Sequence, residues 1–141
     1  MSLHAVAQKI LALLQHRPSG LFSDFDGVLS EIASTPDDAV AYPGAKQAIT
    51  AVAEKVDAAG IITGRAVDDI ATRIPIDDLL VVGNHGLEWA ERGRRRDHEA
   101  GIAAIEAVTR VLEQAKTELA GQTDITNMIW ENKRLSGTIH F

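Results

Sequence analysis

Apolar residues recur at steps of three and four along the first segment (Leu3, Val6, Ala7, Ile10, Leu13, Leu14), the spacing of one helix face. It predicts a surface helix packed on a sheet, with a partner-binding helix as the alternative, ended by Arg17-Pro18-Ser19-Gly20. A short apolar run then predicts a strand over 21–25. The polar stretch 30–42, with Pro36, Asp37 and Asp38, predicts a loop passing over the mouth of any site at that strand's end. Pro43-Gly44 opens a second helix, in which Ala45, Ala48, Ile49, Val52 and Val56 share a face. Residues 58–63 read as a small apolar strand suited to burial on both faces of a parallel sheet. A helix carrying Val67, Ile70 and Ala71, closed by Pro75, leads to a third apolar strand over 79–83, from whose end 84–88 continues. The basic run 92–98 reads as a solvated connection, with steering of an anionic substrate as the alternative. Ile102, Ile105, Val108, Leu112, Ala115 and Leu119 predict a long amphipathic helix ending near Gly121. Segments 126–130 and 135–141, separated by 131–134, predict a β-hairpin.

The order of these elements carries a topology. Strand, helix and strand in succession form a right-handed crossover with parallel strands, whose carboxyl ends meet at one edge of the sheet, where open α/β sheets bind ligands. Asp24, Thr63 and Asn84-His85 therefore arrive together. After residue 97 the pattern changes to one helix followed by antiparallel strands, which places a boundary there and divides the chain into 1–97 and 98–141.

Composition narrows the classes of function. A chain of 141 residues with 45% hydrophobic content buries a core, as one domain or as a piece of something larger. A net charge of −6 argues against a general nucleic-acid binder, and the absence of cysteine excludes disulfides, thiol nucleophiles and thiolate metal sites. No cationic start precedes an apolar h-region and no run has membrane-spanning length, so the expectation is a soluble, cytoplasmic protein without a membrane partner.

The chemistry concentrates at Asp24-Phe25-Asp26-Gly27. Two carboxylates one residue apart at a strand end repel each other, so keeping both ionised calls for a bound cation or hydrogen-bond donors nearby. Mg²⁺ takes oxygen ligands and shares them with substrate phosphate. The plain alternative makes both acids turn formers in water. Thr63 can hold an anion with the N–H groups of a helix start, or simply cap that helix; Arg65 can reach phosphate, or pair with Asp68 or Asp69.

Asp-x-Asp-Gly after a strand resembles the nucleophile motif of the haloacid dehalogenase superfamily, and residues 61–65 resemble its second motif, a strand ending in a hydroxyl residue. Segments 21–32, 60–65 and 82–88, together with Glu131-Asn132-Lys133 and His140-Phe141, narrow the resemblance to the trehalose-6-phosphate phosphatases. The resemblance implies a Rossmann-like parallel-sheet core of haloacid dehalogenase type, followed by the start of an α+β cap. It implies Asp24 as nucleophile and Asp26 as acid and base. Mg²⁺ would be held by the Asp24 carboxylate and the Asp26 carbonyl, and the phosphoryl group would be bound by Thr63, Gly64 and Arg65. Glu131 and Lys133 would bond sugar hydroxyls, with His85 and Glu88 as further substrate residues; the plain alternatives are an exposed polar hairpin turn for the first pair and a strand-end turn for the second. The family's later lysine and second acidic pair have no counterpart here. The chain therefore reads as the N-terminal part of such a phosphatase, half a core over 1–97 and the beginning of a cap over 98–141, with little activity alone. A phosphatase for sucrose phosphate or for glucosyl or mannosyl phosphoglycerate is one alternative. A noncatalytic module associated with a sugar-phosphate synthase is another.

Overall fold

Small apolar strands, and the helices that cover one side of them, organise the chain. In the computed structural model, which describes residues 2–76, 78–122 and 125–141, β1 (Gly20–Ser23), β2 (Ala58–Ile62) and β3 (Leu80–Gly83) lie side by side and parallel. Ser23 stands opposite Ile61 and Ile62 opposite Val82, so all three strands end at the same edge. Helices α2 (Ala45–Ala53) and α3 (Val67–Arg73) make the crossovers. Ala45 and Ile49 of α2, Val67 and Ile70 of α3, and Ile61 and Val81 of the strands join Phe25 in one buried cluster. The inward residues alternate along each strand, as a pleated sheet requires.

From β3 onward the sheet turns antiparallel. Here β4 (Glu88–Glu91) and β5 (Arg94–Asp97) complete a five-stranded sheet in chain order. This corrects the reading of 92–98 as a connection. Arg92 and Gly93 have φ of 51° and 70°, the two left-handed residues of a tight hairpin turn, and β5 pairs along its length with β4. Its outward positions carry Arg94 and Arg96 at the sheet's edge, where charge discourages pairing with another chain. No apolar alternation marks such a strand.

Helix α1 (Leu3–Leu13) forms with Ser2 as its cap, the Ser2 hydroxyl accepting the Ala5 N–H at 3.3 Å. It does not pack on the sheet as expected. None of its residues is buried, and Leu3 and Leu13 are 90% and 69% exposed. A polar tie holds the entry into β1 instead: Asp57 accepts from the Arg17 guanidinium at 2.7 Å and from the Ser19 N–H at 2.8 Å. The bond from Arg17 holds the Asp57 carboxyl below its ordinary range.

The long helix α4 (Glu99–Ala120) begins two residues after β5, with His98 Nδ1 accepting the Ala100 N–H. It leads to a separate two-stranded sheet of β6 (Ile129–Asn132) and β7 (Gly137–His140). The hairpin is present, but its turn lies later than the apolar pattern indicates. Glu131 and Asn132 sit in β6, and the turn is 133–136, closed by Lys133 N–H to Ser136 O at 2.8 Å and Leu135 N–H to Lys133 O at 2.9 Å. Leu135 looked like a strand residue because it is apolar. It is buried from the turn itself, against Gly101 of α4.

Ile70→Ala is expected to lower unfolding stability by roughly 3 kcal/mol in urea titrations, the cost of a large-to-small change in a closed core. Leu13→Ala is expected to change it by less than about 0.5 kcal/mol, since an exposed leucine loses little.

Candidate active site

The edge where β1, β2 and β3 end is built by turns. After β1 the chain reverses at Gly27, whose φ of 78° favours glycine, and the Phe25 carbonyl collects the N–H groups of Val28, Leu29 and Ser30. That reversal displays the two acids differently. Asp24 is exposed, one of its oxygens accepting the Phe25 N–H at 2.6 Å. Asp26 is half-buried, and both its oxygens are taken by Arg65, from Nε and Nη2 at 2.8 Å each. The donors that keep Asp26 compatible with a second acid are thus a bidentate guanidinium.

Arg65 is heavily engaged. Its Nη1 donates to Asp69 at 2.7 Å and to the Pro36 carbonyl at 2.9 Å, and its guanidinium lies 5.4 Å from the centre of the Phe25 ring. Its pKa is raised, first by the bond to Asp26, then by Asp69 against the cost of burial. Of the two acids expected as partners only Asp69 is used; Asp68 pairs with Arg95 at 2.5 Å. Arg73 also bonds Asp69 and the carbonyls of Pro36 and Ala39, so α3 ropes down the loop over 36–39.

Thr63 is buried. Its hydroxyl accepts the Arg65 N–H at 3.2 Å and its carbonyl the His85 N–H at 3.1 Å. It does not cap the helix: Ala66 holds that position, and the first helical N–H, of Val67, goes to Glu88 Oε1 at 3.0 Å. Glu88 is accordingly not a residue that a substrate reaches. It is fully buried, accepting also from Asn84 Nδ2 at 2.9 Å and from Arg95, because a carboxylate in the core must be met by donors. Burial pulls the Arg95 pKa down, but Asp68, Glu88 and Asp97 outweigh it and the net shift is upward.

A cavity of about 290 Å³ opens between this edge and the hairpin. Asp26, Gly64, Arg65 and His85 line it from the core, residues 32–36 from the loop, and Glu131, Lys133, Thr138 and His140 from β6, β7 and their turn. The loop over 30–42 therefore passes where expected. Asp24 and Thr63 stand outside the lining, at the ends of the neighbouring strands. His85 lies across Gly64 so closely that a Cβ there would sit 2.5 Å from its Cε1. Lys133 Nζ donates to the Gly64 carbonyl at 3.1 Å and is 3.4 Å from Glu131 Oε2, which His140 Nε2 approaches to 3.2 Å. Nothing in the local sequence marks Thr138 and His140 as facing the site. With the true register, which puts Glu131 opposite Thr138 and Ile129 opposite His140, they share the face of Glu131.

Among the described residues no group of three or more His, Cys, Asp or Glu converges on one point. The edge offers the hard oxygen donors of the Asp24 carboxylate and the Asp26 carbonyl, the Asp26 carboxylate being taken by Arg65. That set fits Mg²⁺, which uses one or two carboxylates and takes the rest of its shell from phosphate and water. No helix among the described residues is long and apolar enough to cross a membrane.

Comparison with solved structures gives the class. The crystal structure of a trehalose-6-phosphate phosphatase related protein superposes with a TM-score of 0.71 at 23% identity, over 86% of this chain and 51% of that one. The fold is thus the α/β fold of that phosphatase-related protein. The family follows from the sequence: residues 22–141 match the trehalose-phosphatase family model, and the chain belongs to that family. Among its relatives are an uncharacterised glycosyl hydrolase of Mycobacterium tuberculosis, 32% identical over 96% of this chain, and the trehalose-phosphate phosphatase of Mycobacterium leprae, 35% identical over 91%. The chain spans 10% and 29% of the lengths of those two proteins.

Asp97 is held below the ordinary carboxyl range chiefly by its hydrogen bond from Arg134, a contact between β5 and the hairpin turn. A folded pKa below the unfolded one means that the pair stabilises above roughly pH 4 and is lost as the pH falls further. Melting temperatures of the wild type should therefore drop more steeply than those of Asp97→Asn between about pH 5 and pH 3. Parallel curves would show that the pair contributes nothing.

Proposed function

We propose that this chain carries the nucleophile half of a phosphatase acting on trehalose 6-phosphate. The observation that supports the reading best is the shared cavity: Asp26, Gly64 and Arg65 of the sheet edge face Glu131 and Lys133 of the hairpin across one space. Residues 1–97 form the core portion and 98–141 the start of a cap, and membership of the trehalose-phosphatase family supports both assignments.

In this mechanism an Asp24 oxygen attacks phosphorus. The bond from phosphorus to the sugar oxygen breaks, and that oxygen takes a proton from Asp26. Water then attacks the aspartyl phosphate and gives its proton back to Asp26, which releases phosphate and restores Asp24. The Arg65 fork meets both oxygens of Asp26 and so fixes the direction in which its carboxyl points. Thr63 and Gly64 contribute polar groups beside the phosphoryl position, and His85 lies over Gly64 at the cavity wall. Glu131 accepts from sugar hydroxyls and Lys133 donates to them. The Asp24 carboxylate and the Asp26 carbonyl would hold Mg²⁺, which when bound neutralises charge on the transferring group. The protein acts in the cytoplasm on a small sugar phosphate, and a sugar-phosphate synthase is the partner whose product it would consume.

Titrating trehalose 6-phosphate into the isotope-labelled chain should shift the amide signals of Gly64, Arg65, Glu131 and Lys133. Lys133→Ala should weaken that binding by about tenfold, the loss of a charged hydrogen bond. Shifts produced by sucrose phosphate or glucosyl phosphoglycerate, and not by trehalose 6-phosphate, would reassign the substrate.

The 141-residue chain is expected to release phosphate from trehalose 6-phosphate slowly or not at all. In the longest reading frame that carries it, Asp24→Asn should lower kcat by about 10⁴-fold or more, as loss of a nucleophile does. Robust turnover by the Asp24→Asn protein would end the nucleophile assignment.

A further inference from the structure

Asn84 follows β3 with φ of 52° and is fully buried, the first of three consecutive left-handed residues with His85 and Gly86. Asparagine tolerates this conformation better than most residues, yet a buried asparagine there must have every polar atom met. Its backbone N–H donates to the Arg65 carbonyl at 2.8 Å, which stitches the turn to the loop after β2. Its side chain reaches the other way. Nδ2 donates to Glu88 Oε1 at 2.9 Å and to the Lys133 carbonyl at 3.1 Å, and Oδ1 accepts the Ser136 hydroxyl at 2.5 Å. The orientation of the carboxamide follows from its surroundings, because the Glu88 carboxylate and the Lys133 carbonyl can only accept.

We propose that Asn84 is a positioning residue: its buried carboxamide latches the hairpin turn to the sheet edge and thereby holds Lys133 over Gly64 in the cavity. Lys133 is anchored at both ends, its carbonyl on Asn84 and its ammonium on Gly64, and Gly64 adjoins the residue whose carbonyl takes the Asn84 N–H. Hydrogen bonds therefore close a ring through Gly64, Arg65, Asn84 and Lys133, spanning both sheets. A second polar tie of the turn, Arg134 to Asp97, is more exposed and more open to screening by salt. Aspartate at 84 would keep the backbone conformation but set a third acceptor against Glu88 and the Lys133 carbonyl. Glycine would keep the conformation and remove the latch together with the amide bond to Glu88.

The role of Lys133 toward the sugar rests on the function proposed above, whereas the latch itself does not, and the test separates them. In hydrogen exchange on the 141-residue chain, Asn84→Gly should speed exchange of the Lys133 and Leu135 amides by about tenfold, the effect of losing two hydrogen bonds. The amides of β1 and β2 should be unchanged. Unchanged exchange at 133–135, or an equal rise throughout the chain, would overturn the latch. With trehalose 6-phosphate as probe, Asn84→Gly and Lys133→Ala should each weaken binding, and the double variant should bind no worse than Lys133→Ala alone, since Asn84 acts through Lys133. Additive losses would overturn the positioning role. A wild-type chain that does not bind this probe, with the exchange result as expected, would refute the substrate assignment and leave the latch standing.

Discussion

The Glu88 carboxylate is the interaction on which the rest of the site depends. Taking a carboxylate wholly out of water costs several kcal/mol, so it is tolerated only where donors surround it. Here those donors are the first N–H of α3, the Asn84 amide and Arg95, which belong to three different elements. Each is fixed by having to meet the same two oxygens. The start of α3 is thereby set against the end of β3, and the loop over 63–66 has its geometry before any ligand arrives.

Around that anchor the charges are nearly spent on one another. Asp26 and Asp69 share Arg65, Asp69 also holds Arg73, and Glu131 faces Lys133. With Asp24, these carboxylates already outnumber the cations beside them. In the proposed function, a phosphate group entering such a space would add negative charge where little positive charge is uncommitted, and a hard cation held at the Asp24 turn would offset it. The same pairing explains why Arg65 organises the acid turn and the loop over 36–39: four of its N–H groups are engaged by oxygen atoms of the protein.

The hairpin contributes the upper wall of the cavity, and its docking is polar where its own packing is apolar. Leu135 is buried beside α4, while Lys133, Arg134 and Ser136 reach the sheet edge through hydrogen bonds and ion pairs. Polar contacts of this kind are strongly directional and individually modest, so they fix position more than they add stability.

Much was legible in the chain itself. Periodicity and turn residues determined the parallel crossovers, the long helix, the hairpin and the delivery of Asp24, Asp26, Thr63 and His85 to one edge, because apolar spacing and glycine conformations act locally. Tertiary structure decided what local patterns do not encode. Leu3 and Leu13 have a buried helix's spacing but stay exposed; Arg94 to Asp97 form a strand whose edge position removes any apolar alternation; Glu88 looks like a site residue and is a buried strut. Which acid Arg65 pairs with, and which hairpin residues face the cavity, follow from register and from distances between segments far apart in the chain. Those are settled only when competing charges and strands meet in space.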